Sequence, residues 1–193
     1  MKTMGEPMLR GVVLFLLFSW PFYLVAQDTE LKFYRPFGEV NQQVPLVVKE
    51  EVKGQCWQQS TRIKREDAWR CVVGDKTYDP CFVKQFGSYT QALCPQSPWI
   101  GDSVQIDLPA AVDNSQHMEL NMAETFPWAL ELTTGEKCQA VDEGDFFDGL
   151  PVRYHCDSQT VLLGHIQRCK ASWSILQRTP SGVSTAWVAK AWF

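Results

Sequence analysis

Cysteines are the residues of this chain whose type and spacing point most directly to a chemistry. The sequence holds seven, all between Cys56 and Cys169. Cysteines at this density either pair as disulfides in an oxidising compartment or bind a metal ion such as zinc. Zinc sites typically use closely spaced CxxC pairs, and this sequence has none. The cysteine pattern therefore favours an exported, disulfide-stapled protein.

Sequence neighbours suggest three disulfides, although six cysteines permit many connectivities. The suggested pairs are Cys56–Cys71, Cys81–Cys94 and Cys138–Cys156. A closed loop of about 15 residues contributes about 3 kcal/mol in the chain-entropy account of disulfides. Cys169 is left over as a free thiol, and an unpaired cysteine in an exported protein can link two copies into a dimer.

The first 26 residues have the order of an export signal. Two basic residues precede an apolar run, residues 11–26, which contains a proline and ends in the small residue Ala26. A membrane-spanning helix needs roughly 20 apolar residues, so this run better suits a cleavable signal. We therefore expect a signal peptide over residues 1–26, starting at Met1 or Met8. An uncleaved membrane anchor is the alternative.

The remaining sequence predicts an all-β fold, with room for one short helical turn at residues 60–69. Short segments alternate apolar and polar residues, the period of a half-buried strand, and each is bounded by Gly, Pro, Ser or Asp. The predicted strands are residues 103–108, 128–133, 137–141, 151–156, 160–166, 171–177 and 183–192. We expect an antiparallel meander closed into a sandwich or partial barrel and stapled by disulfides.

Composition suggests one domain after the signal. Residues 27–54 are polar and cysteine-free and are interrupted by prolines, so they predict an extended lead-in that can add an edge strand. Residues 55–193 are expected to form a single disulfide-stabilised β domain, a length that supports one real core.

The charge argues against one class of partner. The formal net charge is −4, and the basic cluster of Arg62, Lys64 and Arg65 is followed at once by Glu66 and Asp67. Nucleic acids and anionic membranes are bound by clustered lysine and arginine, so we expect neither as a partner. After residue 26, no apolar run is long enough to span a membrane.

Catalytic and cofactor motifs do not stand out. His117, His155 and His165 lie in different segments, and no GxSxG or HExxH motif is present. The acidic residues 142–149 lack the spacing of an EF-hand and are interpreted as an exposed loop rather than a calcium site. We expect no cofactor and no metal.

Three tryptophans lie beside cysteines and turns. Trp57, Trp69 and Trp99 either pack on the disulfides or form an aromatic surface for a glycan or protein ligand. Packing is the commoner outcome, but the three remain the candidate binding surface. Trp128 and Trp173 alternate with other apolar residues and are expected to be buried.

Five segments together resemble a family of exported bacterial proteins of unknown function. They read DAWRC (67–71), YDPCF (78–82), CPQSPW (94–99), WALELTTGEKC (128–138) and YHC (154–156). The resemblance covers about residues 54–193 and implies export, one shared fold and six structural cysteines. The family has no counterpart of Cys169, which supports leaving that cysteine unpaired. No activity comes with the resemblance.

Three functions fit these features. A secreted or periplasmic, non-enzymatic recognition module is favoured because the scaffold is stapled and aromatic and carries no catalytic set. A secreted hydrolase whose carboxylates converge only in the fold is the first alternative, and a structural envelope component is the second. Two facing carboxyls about 5–10 Å apart in a deep cleft would favour the hydrolase. A shallow aromatic groove would favour binding.

Overall fold

A computed structural model of the chain describes residues 27–37, 46–84, 89–142 and 144–193. The predicted signal peptide at residues 1–26 lies outside the described residues. About 56% of the described residues are in strands, and the described part contains no helix. It accordingly contains no helix long and apolar enough to cross a membrane.

The described residues form fourteen strands. In chain order they are β1 (Glu30–Lys32), β2 (Val47–Lys53), β3 (Gln55–Gln59), β4 (Ala68–Val73), β5 (Lys76–Val83), β6 (Gln91–Ser97), β7 (Ile100–Asp107), β8 (Ala129–Leu132), β9 (Lys137–Ala140), β10 (Phe146–Phe147), β11 (Leu150–Cys156), β12 (Val161–Gln167), β13 (Trp173–Thr179) and β14 (Gly182–Trp192). The expectation of an all-β fold is confirmed, and strands β7 to β9 and β11 to β14 lie where the alternating segments predicted strands.

Six antiparallel strands close into a barrel. The ring order is β8, β9, β11, β12, β13, β14, and β14 pairs with β8 to complete it. Strand β1 runs parallel to β14, and β10 forms a small hairpin with β11. Closure satisfies the backbone groups that an open sheet edge would expose.

A second sheet of six strands has the order β2, β7, β6, β5, β4, β3. Strand β2 pairs parallel with β7, and the other neighbours are antiparallel. The two edge strands follow one another through Gly54, where the sheet curls tightly. A Cβ at Gly54 would lie 2.5 Å from the Val72 carbonyl oxygen and 2.8 Å from Ile106 Cγ2, so this approach requires glycine.

The predicted lead-in is part of both sheets. Residues 27–54 contribute β1 to the barrel and β2 to one edge of the second sheet. The helical turn suggested at residues 60–69 is wrong, because residues 61–67 form bends and a turn before β4 begins. The Ser60 hydroxyl oxygen accepts the backbone N–H groups of Arg62 and Ile63. Such local side-chain bonds compete with helix formation.

Each sheet has its own apolar core. The barrel interior and its face toward the second sheet are filled by large buried side chains, among them Trp128 and Trp173, as predicted. The second core lies inside the curled sheet and includes Trp69, Ile106 and the four cysteines of that sheet. Two cores in one chain of this size leave a junction that must be held together by other contacts.

The structure forms the three disulfides that sequence neighbours suggested: Cys56–Cys71, Cys81–Cys94 and Cys138–Cys156. Each joins adjacent antiparallel strands, at Cα separations of 3.8–4.1 Å. None connects the barrel to the second sheet. Cys169 lies exposed between β12 and β13 and is unpaired. Three disulfides indicate a protein of an oxidising, non-cytoplasmic compartment.

A buried arginine holds the junction between the two sheets. The Arg65 guanidinium bonds both carboxylate oxygens of Asp67 and donates to the backbone oxygens of Tyr34, at 2.6 Å, and Phe193, at 3.0 Å. It also stacks on the Phe82 ring, with its central carbon 4.4 Å from the ring centroid. One side chain therefore connects the 60–67 loop, the segment before β2, the end of β14 and strand β5.

The aromatic groups around Arg65 are buried with it. The Tyr34 ring packs against Phe82 and Trp128, with centroid separations of 5.3 and 5.4 Å. Burial raises the pKa of Tyr34 to about 12, and the nearby Arg65 charge opposes part of that rise. The Tyr34 hydroxyl is therefore neutral throughout the physiological pH range.

We predict that Arg65→Met lowers the free energy of unfolding by about 3–5 kcal/mol, because it leaves the buried Asp67 carboxylate without its partner. Urea denaturation of the purified protein measures the change. Arg178→Met is the matched control, since Arg178 is an exposed arginine that also lies over a phenylalanine ring, Phe147. An equal loss in both variants would contradict the role assigned to Arg65.

We also predict that replacing Cys138 and Cys156 together with alanine lowers unfolding free energy by about 3 kcal/mol, the value for a closed loop of this size. The two cysteines are 18 residues apart. Denaturant midpoints and slopes for the variant and the parent protein test this. Stability unchanged from the parent would show that the β9–β11 pairing needs no covalent support.

Candidate functional site

The three candidate tryptophans do not form one surface. Trp69 is buried in the second core, where its Nε1 donates to Asn114 Oδ1 at 2.9 Å and its ring packs on His117. Trp99 is half-buried against Trp192 of the barrel. Only Trp57 is well exposed, at 49%. The candidate aromatic surface is therefore not assembled, because two of the three rings are used in packing, the commoner of the two outcomes.

A cleft lies instead where the second sheet meets the barrel. Its volume is about 510 Å³, within the size range of small-molecule sites. Most of its wall comes from β2, β5, β6 and β7, while Gln139 and Asp142 belong to the barrel side and Arg62 to the 60–67 loop. The remaining lining residues are Lys49, Lys76, Thr77, Tyr78, Asp79, Pro80, Cys94, Pro95, Gln96, Asp102, Ser103 and Val104.

A polar network closes one end of this cleft. The Thr61 hydroxyl lies 2.8 Å from Asp79 Oδ2 and 3.0 Å from Asp142 Oδ1. Arg70 reaches the same two carboxylates, at 3.9 Å from Asp79 and 3.4 Å from Asp142. Arg62 donates to the Asp79 backbone oxygen at 2.9 Å. The network ties β4 and β5 to the turn that follows β9.

The geometry of Asp79 and Asp142 decides what this pair can do. Both contact the Thr61 hydroxyl, so their oxygens are close enough for the spacing seen in glycosidases. The Asp79 side chain is only 2% exposed, however, and it bonds Ser60 and Thr61 within the fold. A catalytic carboxyl must reach its substrate. Asp79 is therefore a structural acceptor, and Asp142, at 45% exposed, faces solvent without a catalytic partner in this pair.

The open part of the cleft carries mixed charge. Lys49 pairs with Asp102 at 3.4 Å, and Lys76 lies over the Tyr78 ring at 4.5 Å. Amide and hydroxyl groups from Gln96, Gln139, Thr77 and Ser103 complete the wall. Such a lining offers both donors and acceptors but no strong net charge, which suits a neutral polar ligand.

The histidines are dispersed, as the sequence indicated. His117 Nδ1 lies 3.0 Å from the Glu66 backbone oxygen, and its ring packs on Trp69. His165, on β12, packs against Phe126, and His155, on β11, is exposed. His165 lies on β12 and Cys169 in the loop that follows it.

Three cysteine sulfurs come close together. The Sγ atoms of Cys71, Cys81 and Cys94 lie within 4.8 Å of one another, and in the described part of the chain they are the group spaced to hold a metal ion. All three are disulfide-bonded, whereas zinc binds the thiolate. These sulfurs therefore pack the second core, with Trp69 against them.

Sequence reasoning missed the residues that build the cleft. Asp142 belonged to the predicted exposed acidic loop, and Arg62 to a basic cluster considered only for its charge. The structure brings Arg62 to 3.7 Å from Asp142. Arg70 and Asp142 are 72 positions apart, so no local pattern could have joined them.

Comparison with protein-family models, with curated protein sequences and with solved structures found no match for this chain. The resemblance to a family of exported bacterial proteins therefore stays a prediction. The function must be argued from the cleft itself.

Proposed function

We propose that this chain is an exported, non-enzymatic recognition module that binds an oligosaccharide in the cleft between the second sheet and the barrel. The observation that carries the proposal is the cleft lining, which combines amide, hydroxyl and paired charged groups in a volume of about 510 Å³. Export, to the periplasm or the extracellular space, is supported by the predicted signal peptide and the three disulfides.

An oligosaccharide fits the lining better than a peptide or an apolar ligand. Sugar hydroxyls both donate and accept hydrogen bonds, and the amides of Gln96 and Gln139 can do the same from opposite walls. Pro80 and Pro95 also line the cleft, although both are largely buried. Lys49 and Asp102 already neutralise each other, so the cleft does not require a charged ligand.

Hydrolase activity is the less well supported function for the same cleft. Hydrolysis of a glycosidic bond needs two carboxyls that face the substrate, one of them holding a proton. Asp79 is sealed in the fold by Ser60, Thr61 and Arg70. A purely structural role would not account for the polar lining of the cleft.

We predict that an array of oligosaccharides will identify a ligand, and that Gln96→Ala combined with Gln139→Ala weakens its binding at least about tenfold, because two hydrogen bonds contribute about 1–3 kcal/mol together. Isothermal titration calorimetry measures the affinity. Gln58→Ala is the matched control, since Gln58 is an exposed glutamine of β3 that does not line the cleft.

Three results would contradict the proposal. Failure of the wild-type protein to retain any oligosaccharide would oppose glycan recognition. Equal weakening by Gln58→Ala would remove the assignment to the cleft. New reducing ends, released from the bound oligosaccharide by wild-type protein, would show a hydrolase and not a binding module.

We further propose that Cys169 can link two copies of the chain. It is exposed in the loop between β12 and β13 and is not needed for the three internal disulfides. We predict a dimer on non-reducing gels that Cys169→Ser abolishes without changing the thermal melting temperature. A dimer that persists in the serine variant would contradict this linkage.

A further inference from the structure

A second cavity at the junction of the two sheets has a different chemistry from the cleft. Its volume is about 220 Å³, and it lies between the 61–64 loop, residues 124–126 and the barrel strands β9 and β11. Three cationic side chains line it: Arg62, Lys64 and Arg153. Glu124 is the single acidic residue among its lining residues, and it is exposed. The cavity therefore carries an excess of positive charge.

Two of the three cations, Lys64 and Arg62, keep hydrogen-bonding capacity for a ligand. Lys64 Nζ donates to the Ser60 backbone oxygen at 3.1 Å, which uses one of the three donors of its ammonium group. Arg62 lies in the wall between the cavity and the cleft, and its buried Nε has no hydrogen-bond acceptor among the described residues. Asp142 is the nearest acid, and its oxygen is 3.7 Å away. A buried donor without an acceptor is unfavourable, so a ligand oxygen that accepts from it would be stabilised there.

The loop that faces these cations is held in place by the barrel. Arg168 donates to the backbone oxygens of Met122, at 2.8 Å, and Thr125, at 2.9 Å. Phe126 lies between Arg168 and Arg153, with ring-to-guanidinium distances of 5.5 and 5.0 Å. This stacking positions Arg153 at the cavity wall. The site is thus built from packed side chains and not from freely moving surface lysines.

From these contacts we infer that the cavity binds a tetrahedral oxyanion, phosphate or sulfate, either as the free ion or as a substituent on a sugar. Guanidinium and ammonium groups make charge-assisted hydrogen bonds to such oxygens. The hydroxyls of Thr61 and Thr125 are already used in contacts with Asp79, Asp142 and the Lys64 backbone oxygen, so the cationic groups would carry the binding. At about 30 Å³ per water, the cavity holds about seven waters, enough room for one oxyanion with part of its hydration. This inference does not depend on the oligosaccharide proposal.

Titration of the full chain with inorganic phosphate, inorganic sulfate, glucose 6-phosphate and glucose tests the inference. We expect saturable one-to-one binding of the anions and none of glucose, with affinity that falls as sodium chloride is raised, because salt screens the attraction. Tighter binding of glucose 6-phosphate than of phosphate would assign the site to a sugar substituent, and the reverse order to the free ion. If none of the three anions shows saturable binding, the inference is overturned.

Substitutions of the lining residues test whether the anion binds in this cavity. Lys64→Gln with Arg153→Gln should weaken anion binding at least about tenfold, whereas Arg153→Lys, which keeps the charge, should weaken it less. Arg178→Gln, at an exposed arginine outside the cavity, is the matched control. Equal weakening by the control would overturn the assignment.

A measurement on the wild-type protein guards against variants that do not fold. Phosphate titration followed by NMR should shift the side-chain Nε–H resonances of Arg62 and Arg153 before those of Arg178. Shifts confined to arginines outside the cavity would overturn the inference even if phosphate binds.

Discussion

The architecture depends on the burial of one guanidinium group, that of Arg65. Its charge is taken out of water, which is costly unless the charge is paired and its donors are satisfied. Asp67 supplies the pairing, and the backbone oxygens of Tyr34 and Phe193 supply further acceptors. These acceptors come from distant parts of the chain. The requirement to satisfy Arg65 therefore fixes how the barrel, the second sheet and the first described segment meet.

The disulfides stabilise the individual sheets and not the junction between them. Each connects strands that already pair by backbone hydrogen bonds, so each reinforces one sheet and leaves the junction non-covalent. The junction is held by Arg65, by the Tyr34, Phe82 and Trp128 rings, and by the network around Thr61. The disulfides therefore stabilise each sheet separately, and buried polar contacts between the sheets determine how they assemble.

Both cavities of interest lie at this junction. Two curved sheets cannot pack flush along their whole length, and the gaps between them are lined by whatever the facing strands and loops present. Arg62 lines both cavities. The cleft on one side of it has equal numbers of acidic and basic lining residues, whereas the second cavity is lined mainly by cations. The same loop that places Arg65 in the core thus places Arg62 and Lys64 at the cavity walls. The stability of the junction and the proposed binding sites therefore depend on one short segment.

Local patterns in the sequence predicted strands β7 to β9 and β11 to β14, and cysteine spacing suggested the disulfide pairs that form. Alternation of apolar residues is a property of each strand alone, and cysteines that face each other across adjacent strands are close in sequence when a short connection joins those strands. Tertiary structure alone decided the rest. Alternation shows that a strand has two faces but not which face meets the second sheet, so it left open whether Trp69 and Trp99 pack or form a surface, and in the structure both are used in packing. The approach of Asp142 to Arg70 depends on packing between distant segments, and such contacts leave no periodic signal in the chain.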